Sequence, residues 1–175
     1  MSSQLTIRVG IISDTHGHID HRVVDALADC DISVHAGDIM GGKILETMQT
    51  ATDKVIAVRG NNDIPGLWKT HEQHALQELR HEETFSLPGG AVVVLHGHEH
   101  GPMPCHDSMR GAHPHARMII YGHSHKLVCD QDQQPWVVNP GAAGLTRTHG
   151  GPSCLILEAS ESGWNINPIR FSDTK

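Results

Sequence analysis

An apolar run, Ile7 to Ile12, stops abruptly at Ser13-Asp14-Thr15-His16. A buried strand usually ends in a turn residue, so a carboxylate and an imidazole two positions apart need partners there. Alone, the pair reads equally well as half of a metal site or as an Asp–His hydrogen bond. The chain then repeats the device. Ile32–Ala36 runs into Gly37-Asp38, Val55–Val58 into Arg59-Gly60-Asn61, Val92–Leu95 into His96, and Ile119–Tyr121 into Gly122-His123-Ser124-His125. In α/β sheets, ligands collect in the crevice beyond the carboxyl ends of strands. Asp14, His16, Asp38, Asn61, His96, His123 and His125 are therefore expected to converge at one edge. Singly, Asp38 reads as a turn residue or helix N-cap, Asn61 as a turn, and His96 as a hydrogen-bonded strand end. Jointly, the bland reading needs five coincidences and leaves buried polar groups without partners. A metal centre satisfies them all.

Between these strand ends the pattern alternates. Ile19, Val23, Val24 and Leu27 have helical spacing within Ile19–Asp29, as do Ile44, Leu45 and Met48 within Gly41–Thr52. Strands alternating with helices imply parallel pairing. Ile64–Arg80 reads as a loop followed by a short helix. Hairpin signals follow: Glu83–Leu87 with Ala91–Leu95 about Pro88-Gly89-Gly90, then Leu127–Asp130 with Trp136–Asn139, and Ser153–Ala159 with Trp164–Phe171. His96–His115 lacks a long apolar run; Asp107–Gly111 is its expected helical part. With no repeat or linker, residues 1–175 read as one α/β domain with two sheets, mixed at their edges.

Composition narrows the function. The formal charge of −7 and 3% aromatic content argue against long nucleic acid substrates, which need a basic face or stacking platforms. A small anion remains compatible if metal supplies local positive charge. Sixteen histidines exceed the 13 lysines and arginines, so most must be surface residues. Cys30, Cys105, Cys129 and Cys154 form no Cys-x-x-Cys, which fits a reduced cytosolic protein better than a disulfide scaffold. Met1–Gln4 carries no charged leader region and no run approaches a membrane span, so the expectation is a soluble cytoplasmic protein.

Seven O and N donors with no thiolate are too many for one tetrahedral zinc. One bridging carboxylate would divide them between two cations roughly 3.5–4 Å apart, a spacing that can clamp a phosphate. Mixed O/N ligands suit Mn²⁺, Fe²⁺ or Zn²⁺.

Asp14-x-His16, Gly37-Asp38, Gly60-Asn61-Asn62-Asp63, His96-Gly97-His98 and Gly122-His123-x-His125 together resemble the five motifs of calcineurin-like metallophosphoesterases. Ser13-Asp14-Thr15-His16-Gly17, Gly101-Pro102 and Asn139-Pro140-Gly141 are similar to the small bacterial and archaeal, YfcE-like, phosphodiesterase branch. The resemblance implies a four-layer α/β/β/α sandwich of two mixed sheets flanked by helices, the metallo-dependent phosphatase fold. It implies two divalent metal ions, Mn²⁺ first, with Fe²⁺, Zn²⁺ or Ni²⁺ as alternatives. One would take Asp14, His16 and His125, the other Asn61, His96 and His123, with Asp38 bridging. A metal-bridging hydroxide would attack a small phosphodiester, or a monoester, in line with its leaving group. Homo-dimers or homo-tetramers are expected from similar proteins.

Departures from the family pattern sharpen this reading. Larger members carry His after the metal-binding Asn; here Asn62 can hydrogen-bond a phosphate oxygen but cannot transfer a proton. Asp63 is expected to orient a ligand or a neighbouring loop. His98 is the best spare proton donor, ahead of His18, His100 and His106. Ala142 stands where the branch often has Ser. Arg147 reads equally as a substrate contact or a solvated surface residue. Two other classes stand beside the enzyme: a protein-binding scaffold on the same fold, as in the retromer scaffold subunit, and a nuclease of the superfamily. Retention of all seven ligands separates the first, and the acidic balance the second.

Overall fold

Period-two alternation decides which way each strand faces. In β1 (Ile7–Ile12), Ile7, Val9 and Ile11 pack into the layer between two sheets, while Ile12 packs on the opposite, helical side. In β5 (Gly90–Leu95), Val92 and Val94 enter that same central layer, and Val93 and Leu95 face outward. The computed structural model describes residues 5–52 and 54–173, so the leader expectation for Met1–Gln4 lies outside the described residues.

The remaining elements are α1 (His21–Leu27), β2 (Ile32–His35), α2 (Gly42–Ala51), β3 (Lys54–Ala57), α3 (Gln73–Glu78) and β4 (Glu82–Leu87), then α4 (His106–Ala112), β6 (Met118–Ile120), β7 (Leu127–Asp130), β8 (Trp136–Pro140), β9 (Ser153–Ser160) and β10 (Gly163–Arg170). One sheet has the order β10-β9-β1-β2-β3 and the other β4-β5-β6-β8-β7. Pairing is parallel for β1–β2, β2–β3, β5–β6 and β6–β8, and antiparallel in the hairpins and between β1 and β9. Val23, Leu27, Ile44, Met48 and Leu76 from α1, α2 and α3 cover the first sheet, and Met109 from α4 covers the second. The result is the α/β/β/α sandwich of two mixed sheets.

Differences from the expected boundaries have local causes. The helix expected from Ile19 starts at His21, because the Asp20 side chain accepts from the Arg22 N–H at 2.9 Å and caps it. Ile64–Arg80 holds two single 3₁₀ turns, Pro65–Leu67 and Thr70–Glu72, before α3. The five strand ends do not share one sheet. β1, β2 and β3 belong to the first and β5 and β6 to the second, and their ends meet where the layers face each other. No helix among the described residues is long and apolar enough to cross a membrane.

Candidate metal centre

The loops that carry the site residues hold them in an unusual backbone state. Asp14, His16, Asp38, His123 and His125 have φ of 52°, 46°, 56°, 66° and 58°, all left-handed. Each such non-glycine residue costs on the order of 1 kcal/mol and persists only where the surroundings over-determine it. Here they do. The Asp14 N–H donates to Gly37 O and the His16 N–H to Asp38 O, each at 3.0 Å, so the β1 and β2 loops brace one another. Fully buried Asp63 ties the β2 and β3 loops. Its carboxylate accepts from Met40 N and Gly60 N at 2.8 Å, Ile39 N at 3.0 Å and Trp68 Nε1 at 3.1 Å. Two glycines permit the close approach. A Cβ on Gly60 would lie 2.2 Å from Asp38 Oδ1, and one on Gly122 would lie 2.0 Å from Ser13 Oγ.

The side chains then meet. His16 Nε2 and His125 Nε2 are 3.1 Å apart, and His125 Nε2 is 3.4 Å from Asp14 Oδ1. Asp38 reaches both ways: Oδ2 is 3.8 Å from His16 Nε2, and Oδ1 is 3.4 Å from His96 Nε2. Asn61 Oδ1 lies 3.1 Å from His96 Nε2. Among the described residues, two groups bring ligand atoms within 4.8 Å of one another: Asp14, His16 and His125, and Asp14, Asp38 and His96. Asp14 thus joins both groups, beside Asp38. The His123 ring stands further off, 5.3 Å from that of His96 between centroids, while its backbone N–H donates to Asp14 Oδ2 at 3.1 Å.

Hydrogen bonds fix which ring nitrogen is free. His96 Nδ1 donates to Ala36 O and His125 Nδ1 to Thr146 O, each at 2.8 Å. A carbonyl only accepts, so these Nδ1 atoms carry the protons and the Nε2 atoms are left for the centre. A backbone carbonyl behind the distal nitrogen is how proteins aim metal-binding histidines. Burial pushes the Asp14 carboxyl up to about 7. Burial also holds His125 down to about 4, and His16 and His123 below the ordinary imidazole value. For Asp38, burial opposes ionisation but is outweighed by the His96 hydrogen bond and charge and by Asn62, and the carboxyl lies well below the usual range. His96 moves up, its burial outweighed by Asp38 and Asp14.

These residues fit divalent cations. Asp14 Oδ1 is buried with no hydrogen-bond partner, and lone pairs of imidazole and carboxylate face one another across gaps of about 3–4 Å, where only a proton or a cation satisfies both.

The other candidates fall into place less simply. Asn62 does not face outward as a phosphate donor. Its Nδ2 donates to Asp38 Oδ2 at 2.7 Å and its backbone N–H to Oδ1 at 2.8 Å, so it holds the carboxylate set between His16 and His96. Asp63 offers no atom to a reacting molecule, because backbone N–H groups and Trp68 engage its buried carboxylate; it is a positioning residue. His98 stands at the rim, with ring centroids 5.5 Å from His96 and 6.2 Å from His123. Its buried Nδ1 has no partner, and burial lowers its pKa.

Two supporting residues escaped the sequence reading. His35 is fully buried and pushed down to about 3 by burial. Its Nδ1 accepts from the Gly37 N–H at 3.2 Å, so Nε2 donates to Thr15 Oγ1 at 2.9 Å, which donates on to Ile39 O at 3.1 Å. The signal was an imidazole on β2 facing away from the inward Val34, three residues before Asp38. Asn139, noted only within a motif, donates from Nδ2 to Gly122 O at 2.7 Å and to Ser124 Oγ at 3.1 Å, steadying the His123–His125 loop.

The comparisons agree with this architecture. The model of the calcineurin-like phosphoesterase superfamily domain matches residues 7–162. A probable metallophosphoesterase of Methanothermobacter thermautotrophicus is 28% identical over 169 residues, covering 93% of this chain and 91% of its own length. Among solved structures, a single mutant of Vps29 of Entamoeba histolytica superposes with a TM-score of 0.74 at 19% identity, over 95% of this chain and 100% of its own. YfcE, a phosphoesterase from E. coli, does so with a TM-score of 0.63 at 21% identity, over 94% and 99%. At these identities the two structures share the fold.

Proposed function

The chain belongs to the calcineurin-like phosphoesterase superfamily, and on that premise we propose that it is a dinuclear metal-dependent phosphoesterase of small phosphodiesters, with monoesters the alternative substrates. The observation that carries the reading is the Asp38 carboxylate, with one oxygen toward His16 and the other toward His96. Lying between His16 and His96, it would be the anion shared by the two cations, beside Asp14, which belongs to both groups of close ligand atoms. Asp14, His16 and His125 would hold one cation and Asn61, His96 and His123 the other, with Mn²⁺ the first choice for mixed O/N donors. Two such cations, when bound, supply Lewis acidity to a phosphate and lower the pKa of water.

The chain's own residues set the rest. Asn62 keeps Asp38 ionised and oriented through two donated bonds. Thr146 and Ala36 hold the imidazole tautomers that present Nε2. His98 is the nearest spare imidazole for a leaving group, and burial disfavours its protonated form near neutral pH. Proton donation is therefore weak, and esters with good leaving groups are the favoured substrates.

The test is hydrolysis of bis(4-nitrophenyl) phosphate by protein supplied with Mn²⁺. Turnover should appear with Mn²⁺, vanish with chelator and fall at least about a hundredfold in Asp38→Ala, the order of effect of losing one major electrostatic element. Metal-loaded protein inert toward several activated esters would instead favour a protein-binding scaffold on this fold.

A further inference from the structure

Arg147 is the single lysine or arginine between Lys126 and Arg170. It lies in an exposed loop, residues 144–151, whose neck is closed by the Ser153 N–H donating to Ala142 O at 3.0 Å. Consecutive residues of this loop grip opposite nitrogens of one ring. Thr146 O accepts from His125 Nδ1 at 2.8 Å, and Arg147 Nη2 donates to His125 Nε2 at 2.9 Å. Arg147 holds a left-handed φ of 50° to do so.

The guanidinium is otherwise uncommitted. Arg22 and Arg110 close on aspartates, Asp20 for the first and Asp107 and Asp130 for the second. No carboxylate among the described residues pairs with Arg147, and one imidazole lone pair occupies one of its five N–H donors.

We infer that Arg147 is the anion-gripping residue of this site, taking non-bridging oxygens of the substrate phosphate and resting on His125 Nε2 when that nitrogen holds no cation. The inference rests on the phosphoesterase reading above. A lone pair serves one donor or one cation at a time, so Nε2 given to a cation must release Nη2. Like charge then drives the guanidinium from the cations. A tetrahedral anion offers it the bidentate oxygen geometry that its planar fork fits.

The test is calorimetry on wild type, Arg147→Gln and Arg147→Lys; the residue is exposed, and a thermal melt checks that each variant folds. First, Mn²⁺ is titrated into chelator-stripped protein. Arg147→Gln should bind roughly three- to tenfold tighter, because nothing must be displaced from His125. Second, inorganic phosphate is titrated into Mn²⁺-saturated protein. Arg147→Gln should bind about tenfold more weakly, with Arg147→Lys in between, having the charge without the fork. Equal phosphate affinity in Arg147→Gln and wild type overturns the grip. Unchanged or weaker Mn²⁺ binding overturns the resting position. Mn²⁺-saturated wild type that binds no phosphate removes the phosphoesterase reading itself, a pattern distinct from either.

Discussion

Asp63→Asn tests whether the site is held by the buried carboxylate that joins two strand-end loops. Oδ1 accepts from Ile39 N, Met40 N and Trp68 Nε1, and Oδ2 from Gly60 N, with Ile39 N shared at 3.2 Å. An amide has one acceptor oxygen. The less costly orientation keeps it at the Oδ1 position, satisfying three donors, and turns the NH₂ toward the Gly60 N–H. Two buried donors then face each other unpaired, at roughly 1–3 kcal/mol each. The three surviving bonds lose charge assistance, while relief of carboxylate burial offsets part of the loss. The net destabilisation is about 3 kcal/mol, which lowers Tm by roughly 6–12 °C in a chain of this size. The assay is thermal unfolding in chelator, so that metal does not contribute. Because Gly60 leads directly to Asn61, Mn²⁺ affinity should fall as well. A variant within about 2 °C of wild type and with unchanged Mn²⁺ affinity refutes the brace.

Two further substitutions separate stability from metal binding. In metal-free protein Asp14 titrates at about 7 instead of 3.8, so across that window the folded state holds a proton that the unfolded state has lost. This contribution to stability is full below pH 4 and fades as pH rises toward 7. Asp14→Asn should therefore be more stable than wild type by a few kcal/mol at pH 8 in chelator and nearly equal at pH 4.5, by urea unfolding at both pH values. A larger difference at pH 4.5 than at pH 8 would reverse the sign and sink the argument. Gly60→Ala places a methyl 2.2 Å from Asp38 N and Oδ1. It should cost roughly 1–3 kcal/mol by overpacking and weaken Mn²⁺ binding; unaltered binding by calorimetry would mean Asp38 can shift without consequence.

What the sequence made legible was local. Apolar runs mark the strands, and their abrupt polar ends mark Asp14, His16, Asp38, Asn61, His96 and His125, which lie together, and His123, whose ring stands further off; Asp63 is readable as a residue that orients its surroundings. Long-range choices were not legible. Nothing in Ser153–Ala159 says that it pairs antiparallel with β1, nor in Trp136–Asn139 that it lies parallel to β6, because such partners are selected by packing across the sandwich. The direction of the Asn62 amide is not legible, because spacing alone cannot show whether it turns to substrate or back to Asp38. His35 was overlooked because a buried imidazole acting through Thr15 leaves no motif. Arg147 stayed undecided because it projects from an exposed loop, where surface arginines are ordinary, and only its distance to His125 sets it apart.

The number of Mn²⁺ ions bound per chain bears most directly on a centre in which Asp38 serves two cations. Calorimetric titration of chelator-stripped protein at neutral pH should reach two equivalents. Saturation at one equivalent, or no binding, would contradict the dinuclear centre.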